Sequence, residues 1–146
     1  VTSFLPAVAA YLASLGHGFW SETEPYPPDA VGIALGTAPA APDRAVTLAT
    51  YAAPESNSNE PYDLLNVQVR VRGTADFSVS ADHAQAIYDD LHGLGGTDLP
   101  GGVRLVNSVC LQGAPIYMGT DGNNRHEHTV NVRMERLNPT ALRATS

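Results

Sequence analysis

A single cysteine, Cys110, and no lysine at all occur among the 146 residues. One thiol cannot close an intrachain disulfide, and it can build neither a zinc ribbon nor a CxxC redox pair, an economy that fits a reducing compartment. Without lysine there is no Walker-type phosphate loop. All eight basic residues are arginine, a compositional bias that carries no functional inference, and they face fifteen carboxylates for a formal net charge of −7. A surface built to wrap phosphates, and with it tight nucleic-acid binding, is therefore disfavoured. No apolar stretch approaches the ~20 residues of a bilayer-spanning helix. The opening residues, Val1 to Gly16, carry no basic n-region and are amphipathic, so they are expected to belong to the fold and not to a signal peptide. With 43% hydrophobic residues, a chain of this length is expected to pack as one ordinary domain over residues 1–137, followed by a short tail, 138–146.

From Ser3 to Leu15, Leu5, Val8, Leu12 and Leu15 recur at helical spacing, and Gly16 is placed to end the helix, whose start lies at Phe4 or at Pro6. His17 to Asp29 is broken by Pro25, Pro27 and Pro28 and reads as a loop with a short extended piece near Phe19 and Trp20. Val31 to Leu35 and Ala45 to Tyr51 read as strands that begin a meander, with turn residues between them. Pro54 to Pro61 (PESNSNEP) holds no apolar residue and is expected to be an exposed, mobile loop. In Leu65 to Arg72, Val67, Val69 and Val71 alternate with Gln68, Arg70 and Arg72, a period-two strand signal.

Ser80 is expected to cap a second helix whose stripe is Ala84, Ile87, Tyr88, Leu91 and Leu94. The glycines from Gly93 to Gly102 then stop the helix and make a flexible crossing. Val103 to Leu111 and His128 to Leu137 complete the strands, joined through turn residues from Gly119 to Asn124. The order implies an α+β domain, a mostly antiparallel sheet of about five strands with two helices packed on one face.

Reactive chemistry finds little support in the spacing. His126 and His128 would share a strand face about 6.5–7 Å apart, and with a distant carboxylate such as Asp121 they outline a metal-dependent hydrolase. No HExxH spacing supports that, and an ordinary solvated strand end is the simpler reading. Asp89, Asp90 and His92 point in different directions from one helix. No GxSxG surrounds any serine, and Cys110 on an apolar strand reads as a buried, inert thiol. Trp20, Tyr26, Tyr51 and Tyr62 could line a groove for a small ligand, although aromatics beside prolines more often plug the ends of a sheet. No catalytic residue, metal or cofactor is expected. What remains is a set of charges suited either to plain solvation or to a contact between copies: Arg70, Arg72, Arg133 and Glu135 on strands, with Glu55 and Glu60 in the polar loop.

Four phrases carry a family likeness: Ala7 to Gly16 (AVAAYLASLG), Asn66 to Gly73 (NVQVRVRG), Ala84 to Leu94 (AQAIYDDLHGL) and Gly122 to Arg133 (GNNRHEHTVNVR). On these the chain resembles the phage minor capsid and tail-terminator family of siphovirus-like, long non-contractile tails. The likeness covers most of Val1 to Leu137 and omits the loops Glu22 to Asp29 and Pro54 to Pro61. It implies a non-enzymatic virion protein at the head–tail neck, made in the host cytoplasm and forming a ring, typically of six copies. Such a ring caps the tail tube, stops its polymerisation and offers a surface to the head connector. The implied partners are sibling copies, the tail tube protein and a head-completion or connector protein, with no membrane. Genome DNA would pass through the lumen without specific binding, and Glu22 and Glu24 would join Glu55 and Glu60 as loop carboxylates within reach of a neighbour. A head-completion adaptor or stopper is the nearest alternative.

Overall fold

The first apolar stripe folds as its spacing predicts. In the computed structural model, which describes residues 3–144, helix α1 spans Phe4–Ser14 and buries Phe4, Ala7, Val8, Ala9 and Leu12. Its start is Phe4 and not Pro6. Pro6 sits in the first turn, where its missing N–H is one that a helix end leaves unpaired anyway, and the first helical bond runs from the Ala7 N–H to the Ser3 carbonyl. Gly16 ends the helix at φ +88°, letting the His17 N–H reach the Leu12 carbonyl and its own N–H reach that of Ala13.

The expected meander is corrected. Strands β1 (Gly32–Leu35) and β2 (Ala45–Tyr51) run parallel, with Ile33 beside Val46 and Leu35 beside Leu48. A parallel pair needs a crossover, and residues 36–44 supply it as irregular chain. Phe19 pairs with Gly32 on the free side of β1, so the short extended piece near Phe19 is present.

Strand β3 (Tyr62–Arg72) begins earlier than its valines suggest and lies antiparallel to β7 (His126–Leu137), from Tyr62 opposite Leu137 to Arg72 opposite Glu127. Between them, helix α2 covers Phe77–Leu91. Its N-cap is Asp76 and not Ser80: the Asp76 carboxylate accepts the Ser78 N–H at 3.0 Å, while Ser80 is buried one turn inside, its hydroxyl 2.9 Å from His128 Nδ1. A carboxylate two residues before an orphan N–H captures it and starts the helix sooner.

Two further strands lie where none is expected. β4 (Gly95–Leu99) pairs with β5 (Val103–Cys110), and β6 (Ile116–Thr120) pairs with the start of β7. Glycine hid β4, yet it is required there, because a Cβ on Gly95 would stand 2.9 Å from the Val106 carbonyl oxygen. The seven strands among the described residues form one curled mixed sheet in the order β1-β2-β3-β7-β5-β4, with β6 also on β7. Val67, Val69, Val71, Val130, Val132 and Met134 all face inward and join Leu12 of α1 and Ile87 and Leu91 of α2 in one core. Both helices thus lie against the same face, as expected.

A polar strut ties the exit of α1 to α2. His17 Nε2 lies 2.6 Å from Asp90 Oδ2, the His17 and His83 rings stack at 5.4 Å, and Arg44 approaches His83 Nδ1 at 3.3 Å. Burial, reinforced by the neighbouring Arg44 charge, pulls the His83 pKa from 6.5 down to about 4. Between those values the unfolded chain takes up a proton that the folded chain refuses, so stability falls as pH drops through this window and the loss levels off below it. Urea midpoints measured from about pH 7 down to about pH 4 should show this acid-side loss reduced in His83→Asn. Ile87→Ala, in the shared core, should cost about 2–5 kcal/mol by the same measurement.

Candidate assembly surfaces

Strand alternation sends the polar residues of β3 and β7 to the sheet face that carries no helix. Across it Asn66 opposes Arg133, Gln68 opposes Asn131, Arg70 opposes Thr129 and Arg72 opposes Glu127. Because the strands are antiparallel, Arg70 and Arg72 lie at one end of this face and Arg133 and Glu135 at the other, beside the loop that bears Glu55 and Glu60.

The six contact candidates meet different fates. Arg133, Glu55 and Glu60 are exposed and Glu135 is partly so. Arg70 is half-exposed and reaches Glu127 at 3.4 Å. Arg72 is only 5% exposed, with its guanidinium donating to the backbone carbonyls of Pro39, Pro42 and Asp43. It is an internal clamp on the crossover and not a cation offered to a neighbour. Strand alternation places a residue on a face, but it cannot tell that a loop folds over that end of the face.

Arg125 completes the clamp and escaped the sequence reading. It is buried, pairs with Asp121 at 2.8 Å, and donates to the Ala40 carbonyl at 2.8 Å and to Asp43 Oδ1 at 3.3 Å. The signal was the spacing of Asp121 and Arg125 around a turn. Asp121 Oδ1 accepts the N–H groups of Asn123 and Arg125, both at 2.9 Å.

At the opposite end, Asp63 gathers the C-terminal tail. Its carboxylate accepts from Asn138 Nδ2 at 2.7 Å, meets Arg143 at 2.8 Å and lies 3.4 Å from Arg136. Burial alone would raise its pKa, but the hydrogen bonds from Asn138 and Arg143, with the charges of Arg143 and Arg136, outweigh it and hold the carboxyl below its usual range. Arg143 also donates to the carbonyls of Asn57, Glu60 and Tyr62, the nearest at 3.1 Å. Residues 54–61 are largely exposed as expected, but their base is already pinned in the single chain by this arginine.

The residues of the hydrolase reading are engaged elsewhere. His128 Nδ1 meets Ser80, His126 Nδ1 meets the Tyr117 hydroxyl at 2.8 Å, and Asp121 is committed to its own turn. Among the described residues no group of three or more His, Cys, Asp or Glu is placed to hold a metal ion. Burial, with the nearby Asp89 charge, pushes the Cys110 thiol up to about 11, so it is protonated and inert. Of the aromatics, Tyr26 donates to the Ile33 carbonyl at 2.7 Å, whereas Tyr51 and Tyr62 stand exposed on the helix-free face. Among the described residues no helix is long and apolar enough to cross a membrane.

Arg72→Met should leave the carbonyls of residues 39, 42 and 43 without their donor and cost at least about 2 kcal/mol. Hydrogen exchange should report faster amide turnover confined mainly to residues 36–44.

A protein-family model described as bacteriophage tail terminator protein matches residues 11–138. No curated protein and no solved structure matches the chain. The matched span runs from within α1 past the end of β7 and takes in every strand, the helix-free face and the Arg72–Arg125 clamp; the chain belongs to the bacteriophage tail terminator family.

Proposed function

We propose that this chain is a structural subunit of the virion neck, closing with siblings into a ring, six copies in the simplest case, that caps the tail tube and stops its growth. The same ring presents a face to the head connector, and genome DNA passes through its lumen. Family membership supports the tail role. The observation that carries the ring is the state of the arginines. Seven of the eight are bonded within the chain, and Arg133, exposed on the helix-free face, has no hydrogen-bond or ion-pair partner among the described residues.

A free, always-charged planar donor suits a bidentate grip on a carboxylate of another chain. Glu55 and Glu60 are exposed carboxylates of the kind a neighbouring copy could bring to it. The two ends of the helix-free face carry different side chains, as a heterologous contact requires: one patch meets a different patch on the next copy, and the rotation between copies decides whether the ring closes. A net charge of −7 per copy is consistent with a lumen that repels phosphates.

Particles from a phage in which this gene is interrupted should show overlong or headless tails by electron microscopy. Full-length heads that leak DNA, with tails of normal length, would instead mark a head-completion adaptor. Arg133→Glu should melt within about 0.5 kcal/mol of the parent, as exposed substitutions do, while native mass spectrometry shows loss of the multimer.

A further inference from the structure

Strand β6 has a hydrogen-bonding partner on one side only. It pairs with β7 from Ile116 opposite Thr129 to Thr120 opposite His126, and among the described residues no hydrogen bond reaches its other edge. Native proteins usually blunt such an edge with charge, because a bare row of N–H and C=O groups templates the addition of another strand. Here the whole stretch 111–120, LQGAPIYMGT, contains no charged residue. Its side chains are exposed and large: Leu111 40%, Ile116 36%, Tyr117 46% and Met118 47%. Phe77, at the start of α2, adds 49% exposure and packs against Tyr117 with ring centroids 5.1 Å apart.

Building on the ring reading, we propose that the free edge of β6, with Leu111 and Phe77, is the surface on which an extended segment of a second copy of this chain docks. The exposed side chains of β6 stand on both faces of the sheet, Ile116 beside Thr129 and Tyr117 beside His128, so a strand added at this edge would cover both. An added strand would supply only part of the ~800 Å² that each partner gives to a standard interface, leaving the rest to polar contacts such as those of Arg133. Charge selects the occupant. Two copies each carrying −7 repel wherever their carboxylates meet, and this uncharged strip lets them approach without desolvating like charges. The open backbone then supplies direction, because an added strand must lie along β6 in one register to satisfy its hydrogen bonds. Edge pairing on one side and Arg133 on another would give the two unlike patches of a closing ring.

The test uses the full chain, alone and with purified tail tubes, read by native mass spectrometry and by hydrogen exchange of the β6 amides. Met118→Lys puts a charge on the edge where the parent side chain already faces solvent, so it should melt like the parent while self-association weakens by at least about tenfold. In the assembled parent, the β6 amides should exchange more slowly than in the free subunit. Equal assembly by parent and Met118→Lys, or unchanged β6 exchange on assembly, overturns this surface and leaves the ring intact. Should Met118→Lys fail to fold, the exchange comparison on the parent decides alone. Protection of β6 by tubes while the chain stays monomeric assigns the edge to the tube protein and overturns the second-copy occupant. A parent that forms no multimer under either condition overturns the ring reading and this surface with it.

Discussion

The ladder between β3 and β7 is the constraint from which the rest of the molecule follows. Eleven residues of β3, Tyr62–Arg72, lie in unbroken register against β7, and no other strand pair in the sheet is as long. A single-residue slip would turn the inward valines outward along the whole length, so the register is held by the core as firmly as by its hydrogen bonds. With Val67, Val69, Val71, Val130, Val132 and Met134 committed to one side, both helices must come to that side to bury their own stripes. The other side is left for polar residues, and that is where a contact surface becomes available.

Each end of this ladder is closed by arginine. At one end Arg72 and Arg125 hold the crossover between two parallel strands, substituting guanidinium donors for the backbone partners that an irregular loop cannot supply to itself. At the other, Asp63 with Arg136 and Arg143 folds the tail back over the loop at residues 54–61. The planar, multidentate guanidinium suits both tasks, since one side chain can serve several carbonyls at once. A protein this poor in cations has little positive charge left over, and this is why Arg133, the one arginine without an internal partner among the described residues, stands out against an acidic background.

The proposed assembly role also accounts for how the titratable groups are disposed. The histidines serve as struts: His17 and His83 join the two helices, and His128 meets Ser80 beneath the aromatic cluster of Phe77 and Tyr117. The thiol is buried and protonated, Asp90 is held by His17, and Asp121 is spent on Arg125 and its own turn. Such groups stiffen a subunit. In the proposed ring, stiffness matters because a small error in the angle between copies, repeated at each contact, would prevent closure.

Periodicity made α1, the core of β3, the later part of β7 and the stripe of α2 legible, because each repeats an apolar residue at the spacing of its own element and needs no distant partner to be recognised. The phrases around Val67 and Val132 also carried the family likeness. Other features depended on residues far apart in the chain. The cap at Asp76 competed with a plausible Ser80 that the fold uses inside the helix. β4 and β6 were masked by glycine and are strands because β5 and β7 lie beside them. The parallel sense of β1 and β2 rests on a crossover held by an arginine thirty residues away. Arg72 and Arg133 look alike in an alternating pattern, and tertiary packing alone separated the clamp from the free donor, since burial depends on what folds over a side chain and not on its place in a repeat.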